Sequence, residues 1–388
     1  HDDRIVLLEA STVANGPAGR NSGFMIDVPH DLASDGYGGN ADEDHRDIQL
    51  NRAGIQFALS IKEAYCMSDE AINLCGKVNG AVTARGTRHN DGYAKHLESL
   101  SESYTRLSAS DMQALTGSRS YVDGLFTPGT AMLQPAMYIR VLAEGVETDG
   151  VQLYENSPVV SLDRRNGRWH ARTPSGEVKA KKIILGVNGH LESFGYFNRQ
   201  LMHVYTYGSM TEQLNNDQNK RLGGHASWAL TPADPLGTTV RRISGTGGDR
   251  IIVRNTATFD PSLRVSESRL RSIARVHDGS FTQRFPQLSD VKMQYRWGGR
   301  LCLTRNNVPV FGEIEEGVIS ACCQNGLGTA KGTITGKLAA ELACGRPSDL
   351  LDLQTSYDSP VKLPPKPIAA LGATAVLKWG EFRAGKEL

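Results

Sequence analysis

The sequence predicts an α/β fold built from two interleaved domains, and three observations carry that prediction. Arg4 to Leu8 is an apolar run closed by the acidic Glu9 and followed by a glycine-rich polar loop, Asn15 to Gly23, the pattern of a buried parallel strand entering a turn. Near the other end, Val318 to Cys322 runs into Gln324-Asn325-Gly326-Leu327-Gly328-Thr329-Ala330-Lys331-Gly332, which opens a helix reaching Cys344. The length, 388 residues, is also long for a single core and suits two.

The first loop is chemically suggestive. Small residues with free N–H groups, together with Arg20, suit a diphosphate, and a carboxylate closing a strand suits ribose hydroxyls. On these residues alone, an ordinary strand and turn is an equal alternative. Pro29 to Asp44, with Asp35, Gly36, Gly38, Gly39 and Asn40, reads as a mobile loop beside an active site. Ile48, Leu50, Ile55, Leu59 and Ile61 recur at helical intervals, predicting a helix over His45 to Tyr65. A strand follows at Gly80 to Thr83, then helices over Asp91 to Arg106 and Ser110 to Leu115, and a strand at Tyr121 to Phe126.

Pro135 opens a helix over Ala136 to Thr148. Val151 to Tyr154 is the next strand, and Ser157 to Asp163, Trp169 to Thr173 and Glu177 to Ala180 form a small antiparallel meander with turns at Gly167 and Ser175-Gly176. Lys182 to Val187 is apolar again and stops at Asn188-Gly189. His203 to Thr211 alternates as a strand, placing Tyr205 and Tyr207 on one face. Ala226 to Ile252 holds several short strands, and Glu267 to Arg284 is a helix with a solvated basic face. Tyr295 to Thr304 leads through Val308-Pro309-Val310-Phe311-Gly312 to the second glycine turn. That turn aims several N–H groups and the positive end of a helix at one point, where negative charge is stabilised. Pro360 to Pro367 is a proline-rich linker, and Ala369 to Arg383 is expected to pack back on the body.

Composition limits the function. With 43 basic residues against 42 acidic ones, there is no electrostatic case for nucleic acid or acidic membranes. Six scattered cysteines without a C-x-x-C pair suggest reduced thiols in a cytoplasm. No run of eighteen apolar residues exists and His1 begins no signal peptide, so no membrane span is expected. No metal site is expected either.

Glu9 followed by GPAGRNSGF resembles the second strand and following loop of the D-amino-acid-oxidase-like FAD enzymes, a superfamily that includes glycine oxidase, sarcosine oxidase and the gamma-glutamylputrescine oxidases. The segment Trp297-Gly298-Gly299-Arg300, with V-P-V-F-G and N-G-L-G-T after it, resembles the carboxyl-terminal flavin motif, most of all in the gamma-glutamylputrescine oxidase and glycine oxidase branch. The resemblance runs in order over nearly the whole chain, to the Leu-Lys-Trp-Gly-Glu-Phe-Arg of residues 377 to 383. It implies a Rossmann-like FAD-binding domain (1–45, 134–204 and 296–388) interleaved with a mixed-sheet α+β substrate domain (46–133 and 205–295). The family carries a G-x-G-x-x-G turn about 20 residues before the acidic position. Only eight residues precede Glu9 here and none is glycine, so the chain is expected to lack the domain's first strand and helix.

By resemblance, Glu9, Gly19, Arg20, Asn21, Ser22 and Gly23 lie on the ribose and diphosphate side of FAD. Val159 touches the adenine region through its backbone, against the plainer alternative of a core valine. Asn188 and Gly189 lie near the cofactor, and Gly326, Leu327, Gly328 and Thr329 meet the ring's carbonyl edge. The implied reaction passes a hydride from the carbon beside an amine nitrogen to flavin N5, and the imine product hydrolyses to a carbonyl compound. The substrate is an amine or amino acid, and oxygen or a quinone accepts the electrons. Tyr205, Tyr207 and Arg300 are expected to orient the substrate, with Phe24 and Met25 as pocket walls. Amino-acid oxidases clamp the substrate carboxylate with an arginine one place beyond Arg300, so an amine without that carboxylate gains weight. Cys302 is out of register with the flavin-linking cysteine of sarcosine oxidases, which favours non-covalent FAD. Two alternatives stay open: a tRNA-modifying enzyme with the same FAD domain, and a flavin-free relic.

Overall fold

The computed structural model describes residues 4–29, 40–260 and 265–388. Most of the expected loop from Pro29 to Asp44 lies outside these residues. Its end is helical: Ala41–Ala64 begins at Asn40, whose side chain accepts the N–H of Asp42 at 3.1 Å, and Asp42, Glu43 and Asp44 favour the positive end of the helix.

The Rossmann-like part appears as two pieces. Val6–Leu8 pairs in parallel with Gln152–Tyr154, and Glu9 continues the ladder by donating its N–H to Tyr154 O at 2.9 Å. Ile183–Leu185 pairs in parallel with Val318–Cys322, which Val310–Glu315 flanks antiparallel. Among the described residues, Val6–Leu8 and Ile183–Leu185 are each paired along one edge only, and the side chains of Ile5, Leu7 and Ile184 are exposed. The strands Ser161–Arg165, Arg168–Thr173 and Gly176–Ala180 make the expected meander. Its first turn is Asn166-Gly167, both at positive φ (50° and 73°), the two-residue loop that matches strand twist.

The other layer is an eight-stranded mixed sheet. Its order is Met293–Leu303, Met202–Thr211, Arg250–Phe259, Thr239–Ile243, Trp228–Pro232, Lys77–Ala81, Asp123–Thr127 and Thr105–Ser108. Every pairing is antiparallel except that of Trp228–Pro232 with Lys77–Ala81. One face carries Val78, Leu230, Val240, Ile251 and Val253 into a core with Phe281 of the helix Glu267–Arg284 and Phe285 just after it. Alternation then puts Lys77, Asn79, Thr231 and Arg241 on the opposite face.

Two expectations of secondary structure need correction. The helix placed over Asp91 to Arg106 is Ala84–Ser99, capped by Thr83, and Arg106 belongs to the edge strand Thr105–Ser108. Boundaries drawn at 46, 205 and 296 fall inside Ala41–Ala64, Met202–Thr211 and Met293–Leu303. The last two strands pair along their full length, so cross-strand hydrogen bonding carries them through the expected breaks. A single helical turn, Pro17–Arg20, interrupts the first loop because Pro17 is preset for a helix start.

The helices Ala41–Ala64 and Gly328–Ala343 touch at Gly54, where a Cβ would sit 2.7 Å from Ala330 O. At the end of the chain, Lys366–Ala384 lies on the strand Arg250–Phe259 through Glu381, whose Oε1 accepts Ala257 N–H at 3.2 Å. Its Ile368, Leu371, Val376, Trp379 and Phe382 point outward. Glu387 fastens the terminus by accepting the N–H groups of Val82 (3.0 Å) and Thr83 (2.8 Å).

His277 supplies an acid-sensitive point. It is buried against the sheet, shares a 2.7 Å hydrogen bond with Ser209 Oγ, and burial pushes its pKa down to about 4. The folded state keeps the ring neutral while the unfolded chain takes up a proton below about pH 6.5. Its contribution is therefore complete above that pH and is lost as pH falls toward 4. Denaturant unfolding at pH 7 and pH 4.5 is expected to show about 2–3 kcal/mol of acid destabilisation that His277→Gln removes.

Candidate active site

The first loop is held by its own side chains. Asn21 Oδ1 accepts the N–H of Gly23 at 2.7 Å, and Asn21 Nδ2 donates to Ala18 O at 2.6 Å. Arg20 Nη2 donates to Asn15 Oδ1, and Arg20 O accepts the indole N–H of Trp297 at 3.0 Å. Ser22 O accepts from Arg241 Nη1 at 2.7 Å. Glu9 uses one carboxylate oxygen on Ser11 N–H (2.8 Å); the other accepts no hydrogen bond among the described residues. The backbone carbonyl of Glu9 accepts Ser157 N–H at 2.8 Å, which brings half-buried Val159 close to this strand end.

The second turn is wound through positive φ at Cys323 (57°), Asn325 (49°) and Gly326 (87°). Asn188 Oδ1 accepts Cys323 N–H at 3.1 Å, and Asn325 Oδ1 accepts Thr304 N–H at 2.8 Å, so three chain segments meet here. The helix Gly328–Ala343 has no side-chain cap. The N–H groups of Gly328, Thr329 and Ala330 are thus left without a partner in the helix or its cap. Leu327 packs against the cluster of Phe24 and Tyr93, while Ala330 shares a cluster with Met25. The two glycine turns are therefore brought together. Phe24 and Met25 are core residues at this junction, not cavity walls as expected.

The register of Met293–Leu303 decides where the expected substrate residues point. Arg300 pairs with Tyr205 and Gly298 with Tyr207, all on the face toward the helix Glu267–Arg284, while Trp297 and Gly299 face Arg20. Arg300 Nη2 donates to His190 Nε2 at 2.5 Å. Burial, with Arg300 adding to it, lowers the pKa of His190. Tyr207 is buried with its hydroxyl 2.6 Å from Thr258 Oγ1. Position 301, which shares the face of Trp297 and Gly299, is a leucine. Gly189 lies against the His203 ring, and Cys302 is buried with its Sγ 3.5 Å from Cys323 Sγ.

A cavity of about 1580 Å³ opens beside the first loop. Gly19, Arg20 and Asn21 line it, as do Tyr205, Trp297, Lys77, Ala229 and Arg241 from the eight-stranded sheet. Arg300 and Tyr207 do not line it. A typical small-molecule pocket is roughly 300–1,000 Å³, so this cavity is larger than one small substrate requires. Lys77 and Arg241 escaped the sequence reading. A usable signal existed for Arg241: in Thr-Val-Arg-Arg-Ile of a buried strand, adjacent arginines point to opposite faces. Arg242 goes the other way and donates to Gly223 O (2.6 Å) and His225 O (2.9 Å).

The family model described as DAO, FAD dependent oxidoreductase, matches residues 1–342. The chain belongs to that family. The probable oxidoreductase OrdL of Haemophilus influenzae is 25% identical over 370 residues, covering 88% of this chain and 78% of the relative. The gamma-glutamylputrescine oxidoreductase of Escherichia coli is 22% identical over 358 residues, with the same coverage of 88% and 78%. Among solved structures, glycine oxidase from Geobacillus kaustophilus superposes with a TM-score of 0.71 at 16% identity, over 92% of both chains. L-amino acid deaminase from Proteus myxofaciens, in complex with anthranilate, gives 0.68 at 13% identity, over 89% of this chain and 86% of its own.

This FAD-dependent oxidoreductase has residues that fit its cofactor on two counts. The uncapped start of Gly328–Ala343 offers N–H donors and a positive dipole end to an electron-rich carbonyl edge. Glu9 keeps a carboxylate oxygen for ribose hydroxyls at the end of a parallel strand. Among the described residues no helix is long and apolar enough to cross a membrane.

Proposed function

We propose that this oxidoreductase oxidises the C–N bond of an amine or amino acid held in the cavity beside the Gly19–Gly23 loop. The observation that supports the reading is the meeting of the two glycine turns, with Leu327 packed on the cluster of Phe24 and Ala330 in the cluster of Met25, next to a cavity lined by Gly19, Arg20 and Asn21 of the first loop. FAD, when bound, supplies the hydride acceptor; the protein orients the C–H bond and keeps water away. Gly326 to Thr329 hold the ring's carbonyl edge, while Glu9 and Gly19 to Gly23 hold the ribose and diphosphate side, with Val159, Asn188 and Gly189 nearby. The flavin is non-covalent, a reading supported by the burial of Cys302 against Cys323. Tyr205 is the expected orienting residue that lines the cavity.

The segments 1–45, 134–204 and 296–388 serve the cofactor, and 46–133 and 205–295 serve the substrate. Glycine oxidase and L-amino acid deaminase among the similar folds, and gamma-glutamylputrescine oxidoreductase among the relatives, point to small amines and amino acids. Oxygen or a quinone reoxidises the enzyme. An anaerobic panel of amines and amino acids, scored by loss of the visible flavin band, tests the reading. At least one is expected to bleach the protein; a flavin-loaded sample that none of them bleaches contradicts it.

A further inference from the structure

We propose that Arg241 anchors a carboxylate on the substrate, taking over from the strand Met293–Leu303 the role that Leu301 does not perform. This rests on the amine or amino-acid reading above and narrows it to amino acids. Arg241 lines the cavity and is 8% exposed. Its guanidinium is only partly spent. Nη1 donates to Ser22 O (2.7 Å) and Leu133 O (2.8 Å), fixing one corner on backbone carbonyls. Nε is buried without a partner, and Nη2 makes no hydrogen bond among the described residues. Nε–H and Nη2–H form the edge of the planar fork that grips a carboxylate with two parallel bonds. The Phe24 ring centroid lies 5.8 Å from the guanidinium carbon, within reach of a cation–π attraction.

The surrounding charges do not satisfy it. Among the described residues no carboxylate lies within ion-pair distance of Arg241. The other cavity arginines are engaged: Arg296 with Asp278 at 2.7 Å, Arg250 with Thr211 O at 2.7 Å, and Arg20 with Asn15. Glu70, at the rim, is taken by the N–H of Thr246 at 3.1 Å. A guanidinium that lines a cavity, is removed from water and is held at one corner with its bidentate edge unpartnered calls for an anion from outside the chain. The same corner ties that anion to the Ser22–Gly23 end of the glycine loop, so the substrate lies beside the segment that positions the cofactor.

Calorimetric titration of the flavin-containing protein with benzoate, and with benzamide as its neutral isostere, tests the anchor without turnover. Benzoate is expected to bind and benzamide to bind about 30-fold more weakly or not at all. Arg241→Met should weaken benzoate about 30-fold, and Arg241→Lys, which keeps the charge but loses the fork, about 10-fold. In anaerobic reduction, Arg241→Met should raise the half-saturating concentration of glycine by a much larger factor than that of methylamine. A purely structural arginine would lower flavin content and weaken both substrates alike. Equal benzoate affinity in wild type and Arg241→Met overturns the proposal, as does wild type that binds no benzoate at millimolar concentration. If Arg241→Met does not fold, Arg241→Lys and the benzoate-to-benzamide ratio in wild type decide. Benzoate binding at Arg241 without reduction by any amine or amino acid would leave an anion site and remove the oxidase reading. Reduction by amines without benzoate selectivity would do the reverse.

Discussion

Gly23→Ala is expected to cost about 3 kcal/mol of stability and to strip most of the flavin from the purified protein. Gly23 sits at φ +80°, where an L side chain is strained by about 1–2 kcal/mol on its own account. Its added Cβ would also collide with Leu133 O and Arg241 Nη1, the two groups that close the loop onto the sheet. Neither can retreat cheaply, because the carbonyl is backbone and the guanidinium is pinned by both Ser22 and Leu133. Relief must come from the loop itself, which bends Gly19 to Ser22 away from the cofactor side. Denaturant unfolding and the ratio of visible to ultraviolet absorbance check both parts. Gly16→Ala is the internal control: Gly16 has φ −81° and open space around its Cβ, so a change within about 1 kcal/mol is expected. Wild-type stability and flavin content in Gly23→Ala would contradict this account of the loop.

The second large effect has the opposite sign. Lys77→Met is expected to stabilise the protein by about 2–4 kcal/mol at pH 7, with the gain shrinking as pH rises toward 10. The Lys77 side chain is buried; Nζ bonds Asn79 Oδ1 and lies 3.4 Å from Thr231 Oγ1. Burial pulls its pKa down to about 7. An unfolded lysine titrates near pH 10.4, so between about pH 7 and 10 the unfolded chain holds a proton that the folded chain has released. Stability therefore rises with pH through that window, and the cost of burying the charge is complete below it. Methionine removes the cost and leaves no new orphan, since Thr231 Oγ1 still donates to Asn79 Oδ1 at 2.7 Å. Unfolding of wild type and variant at pH 6.5, 8 and 9.5 measures the difference. A variant that is less stable at pH 7, or a gap that does not change with pH, would contradict it.

Much of the frame was readable from residue order. The hairpin turn at Gly167 and the proline start at Pro135 are local signals, and each sits where local chemistry requires it; the helix start at Asn40 falls in a stretch that reads as loop. The Ala84–Ser99 helix was displaced because its first two turns, Ala84 to Asn90, carry almost no large apolar side chain, while Arg106 is claimed by the edge strand Thr105–Ser108. Phe24 and Met25 read as pocket walls by their position after a cofactor loop. Packing against Tyr93, Leu327 and Ile55 made them core. Lys77 gave no sequence signal, because a lone lysine beside Val78 resembles any solvated strand end.

By itself the amino-acid order determined the two glycine turns, the strand before each and the family they belong to. Those are short-range requirements: positive φ, absent side chains and unsatisfied N–H groups are written in a few consecutive residues. Only the tertiary structure decided that Arg300 turns to His190 while Arg241 turns to the cavity. Strand parity has meaning only relative to a partner, and pairing across the sheet, with a bulge between Thr206 and Tyr207, sets which face each arginine shows.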